Sequence, residues 1–360
     1  MSLLIFLLAL SVMILVHELG HFLVSKWKNV KVEEFGLGYP PRVLAKKLGE
    51  TTYSLNLLPM GGFVRVWGME GRVKQEKERS FYRQSKKVQA MILIAGVVMN
   101  FLASVLVFSV SYGVVGVPRK TGCIRVVEVV EGSPAEQAGV KKEEFIFAIR
   151  YKDRLTALDD VDKMIKLVKS WGGEEVNFLI GGSGELENEA RWLKIIPRRE
   201  TPEGEGPLGV IISDTEIVKP VLWQRIPLGA WYGIKEGFFW GVNIVGGTFS
   251  MIADLFSGRP VSGVAGPVGI YEVSNEIFKE SGLLAVVNFF AVVSVNLVVI
   301  NLLPLPGSDG WHISLLVFEK LRGRPVKKKI KRKINQLGMV FLLVLFLLVL
   351  FADVRRLISR

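Results

Sequence analysis

The pentapeptide His17-Glu18-Leu19-Gly20-His21 holds two of the chain's three histidines, with a carboxylate between them. On a helix, positions i and i+4 share one face, so both imidazoles can meet a single ion. Glu18 sits one residue on, where it can reach a water beside that ion without ligating the ion itself. Two histidine ligands and a glutamate general base are the parts of zinc-assisted peptide hydrolysis. The setting sharpens the signal, because the motif ends the apolar run MSLLIFLLALSVMILV. Ionisable groups inside such a segment are costly and as a rule functional, which argues against a mere polar contact between helices.

Catalytic zinc needs a third protein ligand and an open position. Near membrane depth the chain offers Asn301-Leu-Leu-Pro-Leu-Pro-Gly-Ser-Asp309-Gly-Trp-His312, a Pro- and Gly-broken stretch. Irregular backbone at such depth is tolerated where it is buried in protein or lines a watery cavity. By residue type, Asp309 and His312 both qualify, and S-D-G is also ordinary turn chemistry.

The elements that must carry these residues are membrane segments. Half of the 360 residues (50%) are hydrophobic. Four stretches approach the roughly 20 apolar residues that span a bilayer: Leu3–Val24, Val88–Gly113, Leu283–Leu303 and the shorter Leu337–Phe351. The first lacks a basic leader and a small-x-small cleavage site, so it reads as a retained span rather than a signal peptide. The net charge of +12 concentrates in two places, residues 26–87 with the run Arg72–Lys87, and Arg322–Lys333. Both flank spans, so the positive-inside rule assigns them to the cytoplasm, facing lipid headgroups rather than nucleic acid. Residues 119–280 and both termini then lie outside. Glu236–Phe256 is apolar enough for a fifth span, but a crossing there would separate the two basic loops. With Trp223, Trp231, Tyr232 and Trp240 around it, it reads as an interfacial helix. The single Cys123 excludes an internal disulfide.

Residues 119–215 change character. Strand-like runs occur at Cys123–Val130, Phe145–Arg150, Glu175–Ile180 and Arg191–Ile196, and Asp159–Lys169 reads as an amphipathic helix. Within this region Glu131-Gly-Ser-Pro-Ala-Glu-Gln-Ala-Gly-Val140 resembles the turn and short helix of a PDZ domain, with Glu143-Glu144 where Gly-Asp is usual. PDZ domains take extended peptides at a sheet edge. A steric filter that holds back bulky substrates is the alternative.

H-E-L-G-H in the first span, the PDZ-like insert and N-L-L-P-L-P-x-x-D-G near the end together resemble the site-2 protease (M50) family, specifically the bacterial regulator of sigma-E protease type. The resemblance implies that His17, His21 and Asp309 bind Zn2+ and that Glu18 is the catalytic base. It implies substrate-binding roles for Asn301, for Pro304 and Pro306 at the bend, and for Gly61 and Gly62 in Leu57–Phe63, a strand segment expected to pair with an extended substrate. Phe35-Gly-Leu-Gly38 resembles the family's membrane-associated hairpin, and Phe81–Asn100 and Ser262–Gly269 resemble further family segments. Departures stand at Ser308 (usually leucine), Trp311 (usually glycine) and Ala95-Gly96-Val97 (usually A-G-P).

The expected fold is a polytopic α-helical membrane protein with about four transmembrane helices, an inserted extracytoplasmic α+β PDZ-like domain and a membrane-associated β-hairpin. Its segments run 1–24 (span one), 25–87 (cytoplasmic loop with β segments), 88–115 (span two), 119–215 (PDZ-like domain) and 216–282 (linker with interfacial helix). They continue as 283–312 (span three with the aspartate motif), 313–335 (basic loop) and 336–353 (span four). The expected activity is zinc-dependent cleavage of transmembrane segments, in substrates such as anti-sigma factors or signal-peptide remnants, in a bacterial cytoplasmic membrane. The implied partners are single-span membrane proteins, a peptide ligand of the PDZ-like domain and the lipid bilayer, with no nucleic acid. An inactive membrane-anchored PDZ scaffold is the rival reading, disfavoured because a structural zinc site needs no base. A divalent-metal transporter is disfavoured by the lack of inverted repeats.

Overall fold

The structure, a computed structural model, describes residues 3–69, 78–182, 190–202, 205–257, 266–324, 326 and 328–358. Parts of the Arg72–Lys87 run, of Arg322–Lys333 and of Ser262–Gly269 lie outside the described residues. The chain divides into two compact units, Val115–Leu222 and the remainder.

The larger unit begins with helix α1 (Leu3–Trp27), a mostly apolar run without proline that carries the histidine motif. Strands β1 (Val32–Leu48) and β2 (Thr51–Val66) follow and pair antiparallel. Each is long enough to fold over: residues 32–37 of β1 lie opposite both residues 62–66 and residues 52–55 of β2. The hairpin expected around Phe35–Gly38 is therefore present, with the 62–66 arm on its outside. Glu34 is buried inside it, accepting from Ser54 Oγ at 2.7 Å and pairing with Arg42 and Arg65. Those partners offset the desolvation of its carboxylate. Helix α2 (Lys86–Val115) completes this half.

The inserted unit contains β3 (Val117–Val129), α3 (Pro134–Gln137), β4 (Phe145–Tyr151), β5 (Arg154–Ala157), α4 (Val161–Ser170), β6 (Val176–Gly181), β7 (Arg191–Ile195) and β8 (Val210–Val218). Its sheet runs β7-β6-β4-β3-β8, with β5 added to β4. Alternating residues Ile124, Val126, Ile146, Phe178 and Ile180 point into one core with Met164 and Val168 of α4. Asp160 caps α4 by accepting from Lys163 N at 3.2 Å. Three of the four expected strands and the helix stand within two residues of their anticipated bounds; β3 starts six residues before the expected Cys123, and β5 and β8 are additional.

The larger unit resumes with α5 (Arg225–Phe256), α6 (Pro267–Leu302), α7 (Asp309–Arg322) and α8 (Lys328–Ile358). Three features bear on the expected segments. Glu236–Phe256 belongs to α5, whose first half packs antiparallel on α2 along Gly229–Gly237. The cause is glycine at every fourth position: Gly229, Gly233 and Gly237 press successively on Ser109, Val105 and Phe101. Bare glycine faces let helix backbones approach closely in a membrane. The polar partners are internal too, since Glu236 accepts from Tyr112 Oη at 2.8 Å and from Trp240 Nε1 at 2.9 Å. Second, the apolar segment from Leu283 is the far arm of α6, which breaks at Gly282 (φ 77°), a conformation that suits glycine. Third, the described residues of 313–335 are mostly helical rather than loop, shared between α7 and the first turns of α8.

Among the described residues, three helices are long and apolar enough to cross a bilayer: Ile5–Trp27, Lys86–Val115 and Pro267–Leu302. The architecture is that of a multi-pass membrane protein whose sequence carries an inserted β-rich unit. The expected fourth span, Leu337–Phe351, falls within α8.

Candidate metal centre

The site is assembled where α1, α2 and the start of α7 meet the hairpin. On α1, His17 and His21 are buried one turn apart, their ring centroids 4.8 Å apart. Helix α2 runs antiparallel to α1 and offers Gly96 to both rings; a methyl group there would overlap the two imidazoles. One turn earlier, the Ile92 carbonyl lies 2.7 Å from His21 Nδ1. That carbonyl can only accept, so Nδ1 carries the proton and the Nε2 lone pair is left for an ion.

Asp309 arrives from 288 residues along the chain, at the first turn of α7. Its placement is built by Ser308 and Gly310 on either side of it. Ser308 is the N-cap: its Oγ accepts from Trp311 N at 3.3 Å and lies 2.8 Å from the carbonyls of Leu303 and Leu305. Such a cap is worth about 1 kcal/mol. Gly310 is pressed against the carbonyls of Leu302 and Leu303, so that the turn closes directly onto the end of α6. The serine thus forms a hydrogen-bonded clasp that holds Asp309 at the start of α7.

Asp309 Oδ2 lies 3.0 Å from His17 Nε2 and 3.3 Å from His21 Nε2, and the two Nε2 atoms are 3.1 Å apart. Three such atoms this close, each offering a lone pair, form a site that a proton or a bound cation must bridge. Ligands held at about 2.0–2.1 Å on a tetrahedral zinc lie roughly 3.3 Å from each other, so the triangle fits that ion. Asp309 Oδ2 is also buried with no hydrogen-bond donor among the described residues, as a metal ligand should be. Among the described residues, the histidine–carboxylate group able to hold a metal is His17, His21 and Asp309. His312, the other candidate by residue type, is half-buried in α7 and stands outside the group.

Glu18 turns toward the hairpin. Its Oε2 accepts from the backbone amide of Val64 at 2.9 Å, on the outer arm of β2. The same arm is anchored by Gly61 N donating to Ser11 Oγ at 3.2 Å. Gly62 lies against the Gly36 carbonyl and Leu15, and Gly61 lies against Ile14 and Tyr39. Both glycines are therefore beside α1 near Glu18. Asn301 is half-buried in the last turn of α6, Pro304 is exposed, and Pro306 packs on Gly338 of α8.

Sequence reasoning named Gly96 and Ser308 without their roles, and gave no sign of the Ile92 carbonyl or the Val64 amide. The backbone groups leave no side-chain signal. Gly96 had one: a glycine in an apolar helix marks a close approach.

The sequence pattern of peptidase family M50 matches residues 5–345. The chain is 31% identical over 354 residues to a protein of Clostridium acetobutylicum named "putative zinc metalloprotease", covering 98% of this chain and 97% of that protein. A protein of the same description from Fusobacterium nucleatum is 31% identical over 364 residues, covering 100% of each chain. One from Nostoc is 27% identical over 368 residues, covering 100% of this chain and 98% of the relative. With the match extending over nearly the whole sequence, the chain belongs to peptidase family M50.

Proposed function

We propose that this zinc metalloprotease is an intramembrane endopeptidase in which His17, His21 and Asp309 hold the metal and Glu18 is the general base. The convergence of three ligand atoms beside Glu18, on helices apolar enough to span a bilayer, carries this reading. When bound, zinc supplies Lewis acidity, which makes water nucleophilic near neutral pH and polarises a carbonyl. Glu18 takes the proton of the attacking water and delivers it to the leaving amine as the C–N bond breaks. The Val64 amide aims the carboxylate, and the hairpin and the Asn301–Pro306 bend hold the substrate backbone extended, because a helical peptide bond is shielded from attack.

The substrates in this reading are single-span membrane proteins, of the anti-sigma-factor or signal-peptide-remnant kind, cut in regulated intramembrane proteolysis. α8 supplies the fourth span. The membrane is the bacterial cytoplasmic membrane, with the inserted unit and both termini outside, consistent with the basic segments flanking the spans. The inserted unit acts as a PDZ-like module that filters substrates or takes a peptide at a sheet edge; β8 ends the strand order and supports that role. An inactive scaffold would have no use for a carboxylate held beside the metal-ligand cluster.

The test uses purified full-length protein in detergent with a labelled single-span substrate. Cleavage within the span should stop on chelation and return with zinc. Cleavage that survives complete zinc removal, or that falls only outside the span, overturns the proposal.

A further inference from the structure

A second polar group lies inside the helix bundle, outside the parts used above. Asn100 of α2 is fully buried, at 0% exposure. Neither Oδ1 nor Nδ2 has a hydrogen-bond partner among the described residues, although its backbone carbonyl accepts from Ser104 Oγ at 2.8 Å and Ser294 Oγ at 3.3 Å. An unpaired buried amide costs on the order of 1–3 kcal/mol, so its presence calls for a partner. His17 Nδ1 is likewise buried without a partner among the described residues, whereas His21 Nδ1 has the Ile92 carbonyl.

The two orphaned groups share a neighbourhood. Asn100 lies one turn beyond Gly96 on the same face of α2, and Gly96 abuts the His17 ring. Side chains lean toward the N-terminus of their own helix. Because α1 and α2 are antiparallel, His17 leans toward the level of Asn100, and Asn100 leans back toward the level of His17. Their polar atoms do not bond directly, yet each can bond a shared water, which takes two to four polar partners when buried.

We propose that Asn100 is a positioning residue that fixes the His17 ring through one buried water, accepting at one end from His17 Nδ1–H and held at the other by the Asn100 amide. This rests on the reading of His17 as a metal ligand through Nε2. It completes for His17 what the Ile92 carbonyl does for His21: it fixes the tautomer and the ring plane. Such outer partners are worth about 10- to 100-fold in metal affinity.

The test measures zinc affinity of the full-length protein by chelator competition, with the ligand-field spectrum of the cobalt-substituted form alongside. Wild type is measured first: if it binds no zinc, the metal-site reading fails, independently of Asn100. Given binding, Asn100→Leu, similar in size and apolar, should lower affinity about 10- to 100-fold and alter the cobalt spectrum. Asn100→Asp, which restores an acceptor, should recover most of the affinity. Should Asn100→Leu not fold, Asn100→Ser, which keeps a water-binding hydroxyl, should bind zinc within a few-fold of wild type while Asn100→Ala does not. Wild-type affinity and spectrum in Asn100→Leu, or in Asn100→Ala, overturn the proposal. So does a loss that neither Asp nor Ser reverses, which marks Asn100 as a packing residue.

Discussion

The Val64 amide donates to Glu18 Oε2 at 2.9 Å, tying a helix carboxylate to the outer edge of a β-strand 46 residues away. One oxygen of Glu18 is thereby fixed, and Oε1 accepts no hydrogen bond from the described residues. The carboxylate is thus aimed by backbone, whose position depends on how closely the β2 arm packs on β1 and α1. A side-chain partner would have been easier to see in the sequence and easier to lose by mutation.

That packing can be disturbed without touching a ligand. A side chain at Gly62 would meet the Gly36 carbonyl at 2.9 Å and push the arm outward. Gly62→Val should reduce cleavage by roughly 10- to 100-fold, the usual consequence of misplacing a catalytic group by about 1 Å. Zinc content should stay at the wild-type level. Parallel metal analysis and single-turnover cleavage check this, and a loss of zinc would show that the arm supports the metal instead.

The choice between Asp309 and His312 predicts unequal mutants. Asp309→Ala removes the atom that lies 3.0 and 3.3 Å from the histidines and should abolish tight zinc binding. His312→Ala should leave zinc affinity within a few-fold of wild type. Competition with a chromogenic chelator distinguishes them, and the reverse order would move the third ligand to His312.

Gly96 predicts a steric lesion. Any side chain there overlaps both imidazoles, so Gly96→Val should displace them and lose zinc while the protein remains helical. Circular dichroism together with metal analysis tests it. Full zinc content in that variant would mean that α2 can retreat from α1 at no cost to the site.

A pH effect follows from Glu319 on α7, which pairs with Lys86 of α2 at 2.7 Å and with Lys331 of α8. Burial pushes its carboxyl up, but the Lys331 and Lys86 ammonium groups outweigh burial and hold it at about 2, against an ordinary 4.5. A depressed carboxyl stabilises the fold fully above about pH 4.5, and that contribution is lost as the pH falls toward 2. Thermal unfolding in detergent should therefore fall more steeply between pH 5 and roughly 2.5 for wild type than for Glu319→Gln. Equal slopes would contradict the pairing.

Some of this was legible in the sequence for simple reasons. Histidines four apart on an apolar helix share a face, and strand-like runs such as Glu175–Ile180 read as strands, here β6 at Val176–Gly181. Other elements were hidden by local signals that tertiary structure overrides. β1 and β2 contain Pro40, Pro41, Pro59 and several glycines, which read as turns, yet the strands continue by folding over. β5 has four residues, too few to show a period, and β8 loses its alternation across Ser213–Glu216. The glycine repeat of α5 was visible, but its meaning depends on α2 being there to receive it. At the site, Asp309 could be nominated by type; bringing it onto the histidines took the Ser308 cap and the closed turn at Gly310.

The general-base role of Glu18 is tested most directly by comparing wild type with Glu18→Gln at matched zinc content, using the same single-span substrate in detergent. About one zinc per chain is expected in both proteins, in line with one three-ligand site, with cleavage by wild type alone. Cleavage by Glu18→Gln at the wild-type rate would contradict it, because the proton would then have another acceptor.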